Sequence, residues 1–247
     1  MLDTAKRILA HPHLVCFWDF QESPGEARVA RGPYRYRLVE MNGPIRREPG
    51  GIFGPYAARL ERGQWFLLPR RECPALDFHG RSASLTLAAW IKRSAGESRE
   101  CQAVAGMWNE EERKRQYALF LNLRIWNSAE QAAGHVSSCG GPTPGYPWCM
   151  TAAIGRTPVS REEWHMVAFT YDGEYAKVYL DGELDEREKY NPFRYDEGLF
   201  DGGEDGADFT VGAVYRAGEM GNFYTGLIGG LAVFNRALAE EEIRAFS

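Results

Sequence analysis

The sequence lacks the features that would place it in a membrane or on a nucleic acid. It has no run of about 18 apolar residues, the length that crosses a bilayer as a helix. It also lacks a basic excess, because 29 lysines and arginines stand against 34 aspartates and glutamates, for a net charge of −5. Nucleic-acid binders neutralise phosphates with clustered basic residues, so we expect neither a nucleic-acid nor a membrane partner.

Motifs of common metal and nucleophile sites are missing as well. The sequence has no Cys-x-x-Cys pair, no His-Glu-x-x-His and no Gly-x-Ser-x-Gly. His165 lies within a predicted strand, where a packing role is expected. There are five cysteines, an odd number that leaves one thiol unpaired within a monomer. Cys139 and Cys149 flank a Gly/Pro-rich loop, and the sequence leaves open whether they form a disulfide.

The first residues, MLDTAKRILAHPHL, have neither the apolar core nor the cleavage site of a secretory signal. We interpret residues 1–13 as an N-terminal extension with a helical pattern. No internal repeat or linker follows, so we expect residues 14–247 to form a single domain. The sequence does not decide the compartment.

Strand patterns dominate the chain from residue 14 onward. In SLTLAAWIKR, four apolar residues alternate with Thr86, Trp90 and Lys92, the period of two that is typical of a strand. YALFLNLRIW continues the same alternation through Trp126. Two apolar segments, 164–171 and 175–181, are joined at Asp172-Gly173, which predicts a hairpin. Residues 21–62, 94–101, 127–160 and 189–207 are expected to be loop-rich and to carry function.

These patterns predict an all-β fold, two antiparallel sheets packed face to face, closed by a short C-terminal helix in AEEEIRAF. The motifs SLTLAAWIKR, AGMWN, EWHMVAFTYDG, VYLDGEL and FYTGLIGGLAVFNRALAEEEI, in this order, resemble the laminin-G-like family of the concanavalin A-like lectin/glucanase superfamily. The resemblance covers roughly residues 14–247 and implies a jelly-roll β-sandwich. It departs from the family at Gly229 and Gly230, where an acidic pair is common, and at Ala239, where a Ser or Thr cap is usual.

The family implies several functions. Its members are usually extracellular, and many are accessory domains of the bacterial type that bind a glycan or cell-surface polysaccharide. Others bind protein ligands through loops at the sandwich rim or serve a structural role, for which the basic cluster Arg113, Lys114 and Arg115 is a candidate. Some superfamily members are glycoside hydrolases or lyases that use paired carboxylates on a strand. Glu183, Asp185 and Glu188 match that spacing, but they follow a turn among charged neighbours, so we predict no catalytic activity.

Carbohydrate binding is the leading hypothesis. Sugar rings present apolar C–H faces that stack on tryptophan and tyrosine, while neighbouring polar groups bind the hydroxyls. Aromatic residues make up 13% of the chain, and several stand beside a polar residue or in a loop. The predicted carbohydrate-binding residues are Trp108, Asn109, Trp126, Tyr146, Trp148, Tyr215 and Arg216.

Calcium is the one cofactor that the sequence suggests, because many relatives hold one ion at the sandwich rim. Calcium prefers carboxylate and carbonyl oxygens. Asp19 ends the first strand, and the acidic loop YDEGLFDGGEDGAD supplies further carboxylates. The candidate ligands are therefore Asp19, Asp201, Asp205 and Asp208, with a solvated acidic loop as the alternative interpretation.

Overall fold

The computed structural model describes residues 2–96 and 98–247, which form two α-helices, three short 3-10 helices and nineteen β-strands. The helices are α1 (Leu2–Ala10) and α2 (Glu240–Arg244), and the 3-10 helices are Arg70–Glu72, Pro74–Leu76 and Gly203–Asp205. In chain order the strands are β1 (Leu14–Trp18), β2 (Arg28–Val29), β3 (Arg37–Met41), β4 (Arg46–Pro49), β5 (Tyr56–Leu60), β6 (Trp65–Leu68), β7 (Leu85–Arg93), β8 (Gln102–Asn109), β9 (Lys114–Leu121), β10 (Gln131–Val136), β11 (Ala152–Pro158), β12 (Trp164–Tyr171), β13 (Tyr175–Leu180), β14 (Glu183–Leu184), β15 (Phe193–Arg194), β16 (Phe209–Val211), β17 (Val214–Arg216), β18 (Glu219–Gly221) and β19 (Gly226–Phe234). Neither α-helix is long and apolar enough to cross a membrane, within the part of the chain described.

The strands build two sheets that pack face to face. Sheet I has the order β14-β13-β12-β7-β19-β5-β4, with β1 added to β19 and β15 added to β13. Sheet II has the order β11-β10-β9-β8-β16-β6-β3-β2, with the β17–β18 hairpin added to β8. The predicted all-β sandwich with a short C-terminal helix is confirmed.

Alternation explains how β7 forms the centre of sheet I. Its residues Leu85, Leu87, Ala89 and Ile91 are buried in the core between the sheets. Trp90 points to the opposite face and packs there against Phe53, with ring centres 4.7 Å apart. The predicted division of the strand into two faces is therefore confirmed.

The hairpin of β12 and β13 also forms where the sequence predicts it. Gly173 adopts a φ of +94°, which glycine accepts without steric penalty. The Asp172 carboxylate accepts hydrogen bonds from the backbone N–H groups of Glu174 and Tyr175, at 2.9 and 2.6 Å. These contacts close the turn and fix the register in which Phe169 pairs with Val178.

Glycine permits one close approach between the sheets. An added Cβ at Gly134, in β10, would lie 2.0 Å from the ring of Phe169 in β12. Because side chains alternate along β10, the same geometry turns the neighbouring His135 to the outer face of sheet II.

Two segments that were predicted to be loop-rich also contain strands. Residues 21–62 contain β2, β3, β4 and β5, and residues 127–160 contain β10 and β11. The sequence hides these strands because they are short or rich in small residues, which gives them little apolar alternation. The strand predicted through Trp126 ends instead at Leu121.

A second apolar layer covers the outer face of sheet I. Ala5 and Ile8 of α1 are buried there with Phe234 and Phe246. An added Cβ at Gly230 would lie 2.4 Å from the ring of Phe53, so glycine makes room for this layer. Helix α2 begins without a side-chain cap at Ala239, and the Glu242 carboxylate accepts the hydrogen bond from the Ala239 N–H at 2.8 Å.

Candidate functional site

A cleft of about 440 Å³ opens on the outer face of sheet II, over β8, β9 and β10. Alternation places its floor, because Leu119 and Leu121 of β9 enter the core while Phe120 between them points outward. Two loops and the β17–β18 hairpin form the walls. The cleft is lined by Cys101, Trp108, Glu110, Phe120, Leu123, Arg124, Ile125, Trp126, His135, Tyr146, Trp148, Cys149, Met150, Arg216 and Asn222.

Three rings form the floor of the cleft. The Trp108 and His135 ring centres lie 4.8 Å apart, and Phe120 meets His135 edge-on at 5.4 Å. The Trp108 side chain is 2% exposed, and its Nε1–H donates to Glu110 Oε1 at 3.3 Å. Interlocked rings of this kind have little rotational freedom, so the floor is a fixed surface.

His135 is the titratable group of this floor. Burial lowers its pKa to about 4, an effect opposed by the hydrogen bond to Thr151 and reinforced by the charge of Arg115. Nδ1–H donates to the Thr151 carbonyl oxygen at 3.1 Å, which leaves the proton on Nδ1 and a lone pair on Nε2. At neutral pH the ring is therefore uncharged and offers an acceptor.

The first wall is the loop 122–130. Asn122, Arg124, Trp126 and Asn127 all have φ between 51° and 59°, a left-handed conformation that is costly for residues other than glycine. The Asn122 amide holds the loop by donating to the carbonyl oxygens of Ser98 and Glu100, at 2.9 and 3.0 Å. Such concentrations of backbone strain occur often at ligand-binding sites.

Trp126 is anchored in that wall by three contacts. Its Nε1–H donates to the Met150 carbonyl oxygen at 3.1 Å. Its ring stacks on Tyr190 at 6.1 Å between centres and meets Tyr146 edge-on at the same separation. Trp126 therefore connects the first wall to the second.

The second wall is the loop 138–151. Near its start lies Gly140, whose φ of +70° and close approach to the Arg113 carbonyl oxygen exclude a side chain. Tyr146 and Trp148 stand on this loop with 45% and 52% of their surface exposed. In the part of the chain that the structure describes, they are two of four large apolar side chains that are exposed, with Tyr34 and Val39.

Of the seven predicted carbohydrate-binding residues, the structure brings five to this cleft: Trp108, Trp126, Tyr146, Trp148 and Arg216. Asn109 and Tyr215 lie beside it without lining it. The Asn109 side chain contacts Glu112 in a turn, and the Tyr215 hydroxyl donates to the Gly218 carbonyl oxygen at 2.9 Å.

Sequence reasoning missed Phe120, His135 and Arg124 among the residues that line the cleft. Phe120 and Arg124 lay on the alternate face of YALFLNLRIW, which was an available clue. His135 had no such clue, because it stands in the small-residue segment QAAGHV.

The thiols of Cys101 and Cys149 also line the cleft. Burial raises the pKa of Cys101 to about 12 and raises that of Cys149, so both stay protonated at neutral pH and are poor nucleophiles and poor metal ligands. All five cysteines are free in the structure, including Cys139 and Cys149.

Among the residues that the structure describes, no three of the four predicted calcium ligands have ligand atoms within 4.8 Å of one another. The Asp19 carboxylate pairs with Arg31 at 3.0 Å, Asp208 accepts the Arg70 N–H at 2.8 Å, and Asp201 accepts the Gly203 N–H at 2.9 Å. Asp205 is exposed on the 3-10 helix Gly203–Asp205.

Asp201 stands instead near Asp77 and His79, with one potential ligand atom from each of the three within 4.8 Å of the others. Asp77 Oδ1 already forms an ion pair with Arg70 Nη2 at 2.5 Å and accepts a hydrogen bond from Gln116 Nε2 at 2.8 Å. Part of its charge is therefore compensated without an ion.

The acidic string at Glu183, Asp185 and Glu188 lines a different, more polar cleft beside β13 and β14. The Asp185 carboxylate accepts hydrogen bonds from both the backbone N–H and the hydroxyl of Thr157, at 3.0 and 2.8 Å. Its oxygens thus tie β11 to the segment after β14, which is a structural use of the carboxylate.

Ser160, His165 and Asp181 have the pair distances of a catalytic triad. His165 Nε2 lies 2.6 Å from Ser160 Oγ, and His165 Nδ1 lies 2.8 Å from Asp181 Oδ2. Ser160 Oγ is also 2.7 Å from a Glu163 carboxylate oxygen. The one hydroxyl hydrogen satisfies that carboxylate only by pointing away from the histidine, which opposes proton transfer to Nε2. Ser160 lines neither cleft described above. The cluster is therefore best explained as a set of hydrogen bonds that join the ends of neighbouring strands.

Solved structures with the same fold come from several carbohydrate-related proteins. Domain 4 of an extracellular arabinanase from Geobacillus stearothermophilus, in complex with arabinotriose, matches with a TM-score of 0.58 and 16% identity over 94% of this chain and 97% of that one. A Trypanosoma rangeli sialidase in complex with the inhibitor DANA gives a TM-score of 0.60 and 15% identity over 96% and 33%. The botulinum neurotoxin serotype D ligand-binding domain, in complex with N-acetylneuraminic acid, gives 0.54 and 12% over 98% and 51%.

These identities establish the fold alone, and this chain spans about a third of the sialidase and half of the toxin fragment. No curated protein sequence matches the chain. A laminin-G-like family model, described as concanavalin A-like lectin/glucanases superfamily, matches residues 72–244, which is more than half of the chain. The chain therefore belongs to the concanavalin A-like lectin/glucanases superfamily.

Proposed function

We propose that the chain is a non-catalytic carbohydrate-binding domain that holds a sugar in the cleft on the outer face of sheet II. The observation that carries this proposal is the pair of exposed rings, Tyr146 and Trp148, on the cleft wall. Exposed aromatic surface costs free energy in water, and grouped at a concave site it marks a ligand surface.

The cleft has the mixture of surfaces that a sugar needs. Tyr146 and Trp148 offer flat apolar faces for C–H groups, and Trp126 supports Tyr146 edge-on. Arg124, Arg216 and Asn222 offer donors or acceptors for hydroxyls, and His135 leaves a ring nitrogen as an acceptor. A volume of about 440 Å³ suits a mono- or disaccharide.

Two observations favour binding without catalysis. The carboxylates that match a glycosidase spacing lie outside this cleft, and Asp185 is committed to Thr157. Within the cleft, Glu110 is the one carboxylate among the described lining residues, whereas glycoside hydrolysis ordinarily needs two. The ligands of the similar structures, arabinotriose and N-acetylneuraminic acid, support sugar binding on this fold.

A glycan array, run in parallel with calcium and with a chelator, tests the proposal. We expect specific binding, and Trp148→Ala should weaken it by about tenfold or more, because loss of a stacked ring removes about 1.4 kcal/mol or more. Tyr34→Ala is the matched control, since Tyr34 is 46% exposed in a loop near the opposite edge of sheet II, and it should leave binding within about twofold.

The array also separates the alternatives. Binding lost only in chelator would place calcium in the site. No binding to any glycan in either buffer would overturn the proposal and favour a protein-interaction or structural module. Arg115 would be a poor contact for such a partner, because its side chain is 5% exposed within β9.

A further inference from the structure

Arg216 is half-buried in the cleft wall, and its guanidinium charge has no close carboxylate partner among the described residues. Its Nη1–H donates to Asn222 Oδ1 at 2.6 Å, and its guanidinium carbon lies 5.8 Å from the centre of the Trp148 ring. Within residues 2–96 and 98–247, no carboxylate oxygen lies within 4 Å of its guanidinium nitrogens. The nearby Glu100 carboxylate is engaged by Arg62, with both hydrogen bonds at 3.2 Å.

The other charges that line the cleft leave it positive. Arg124 donates to Asn122 Oδ1 and to the Ser98 carbonyl oxygen, two neutral acceptors that do not cancel its charge. Glu110 is the opposing carboxylate, and it already accepts from Trp108 and faces Arg115 at 3.8 Å. A positive cleft in a chain of net charge −5 concentrates anionic ligands at one place.

The arrangement of Arg216 and Trp148 suggests which anion fits. A guanidinium presents a planar fork of donors that matches a carboxylate in a bidentate geometry. The Trp148 ring, over which the guanidinium lies, is 52% exposed and presents flat apolar surface to a ligand. A sugar that carries a carboxylate on its ring offers both complementary surfaces within one residue.

We propose that the cleft selects acidic sugars, with the ring carboxylate bound at Arg216 and the sugar face stacked on Trp148. This inference rests on the carbohydrate binding proposed above and specifies the class of glycan. It predicts that the same sugar chain binds much more weakly once its carboxylates are converted to hydroxymethyl groups.

Titration calorimetry with matched oligosaccharides tests this. The probes are galacturonate, mannuronate and glucuronate oligomers and sialyllactose, each with its carboxyl-reduced counterpart, together with neutral arabinan and galactan oligomers. For at least one pair we expect the acidic form to bind about tenfold or more tightly, and this preference should shrink in high salt. Arg216→Gln should reduce the preference to about twofold, with weak binding of the reduced form retained. Arg216→Lys should keep part of it, because lysine retains the charge without the planar fork.

Arg46→Gln is the matched control, because it removes one exposed positive charge from β4 in sheet I. It should leave the preference unchanged. Equal binding of acidic and reduced forms, or Arg216→Gln weakening both alike, would overturn acidic-sugar selection while carbohydrate binding stands. A sulfated galactan oligomer serves as a further probe, and tighter binding of it than of the carboxylated oligomers would also overturn the selection. If neutral and acidic probes all fail to bind, both proposals fail together.

Discussion

Acidification should destabilise the fold through His135. Burial holds the pKa of this imidazole at about 4 in the folded protein, against 6.5 for an ordinary histidine. Between pH 4 and pH 6.5, His135 is therefore protonated in the unfolded chain but neutral in the folded protein. The contribution of the neutral ring to the free energy of unfolding has its full value above pH 6.5. It falls as the pH drops toward 4.

The magnitude follows from the difference of the two pKa values. At about 1.36 kcal/mol per pH unit, the whole effect is about 3 kcal/mol, of which about 2 kcal/mol is lost by pH 5. Other titrating groups contribute in the same range, so the comparison needs a variant without the imidazole. His135→Gln supplies it, because the glutamine amide keeps a donor for the Thr151 carbonyl oxygen.

Urea unfolding followed by tryptophan fluorescence at pH 7, 6 and 5 measures the effect. His135→Gln should be less stable than the parent at pH 7, and the gap should narrow by about 2 kcal/mol at pH 5. Parallel stability profiles of the two proteins over this range would refute the buried, neutral state of His135.

Two further predictions concern packing and chemistry. Gly134→Ala should lower the free energy of unfolding by about 1–3 kcal/mol, because the added Cβ would meet the Phe169 ring. Adding Phe169→Leu should recover part of that loss. Strictly additive effects of the two substitutions in urea unfolding would contradict the steric explanation. Ser160 should not react with a fluorophosphonate probe at neutral pH, because Glu163 competes for its hydroxyl hydrogen; stoichiometric labelling that Ser160→Ala abolishes, seen by mass spectrometry, would show an activated nucleophile.

The sequence predicted the sandwich well where alternation was strong. In β7 the core residues and the outward Trp90 follow from period two alone, and the Asp172-Gly173 turn sets the hairpin beside it. It failed where backbone conformation departs from regular strands. The amino-acid sequence alternates between apolar and other residues through Trp126, but left-handed residues between Asn122 and Asn127 interrupt the strand. The end of β9 was therefore predicted too late in the chain.

Part of the candidate site was also visible in advance. Tyr146 and Trp148 stood in a Gly/Pro-rich loop with no core pattern, and that context identified them as surface aromatics. His135 and Glu110 could not be found in this way. Their positions in the cleft depend on which strands become neighbours in sheet II. Local periodicity of the sequence does not reveal such long-range pairing.

The floor and the walls of the cleft on sheet II differ in how closely they are tied to the core. In strand β9, Tyr117 and Leu119 are buried in the core, and Phe120 lies in the floor of the cleft. The exposed rings of Tyr146 and Trp148 belong instead to a loop. Under the proposed function, a replacement on that loop would change ligand binding with little effect on folding, whereas a change in the floor would affect both. The proposed function therefore predicts that substitutions in the walls alter specificity alone, whereas substitutions in the floor also lower the stability of the fold.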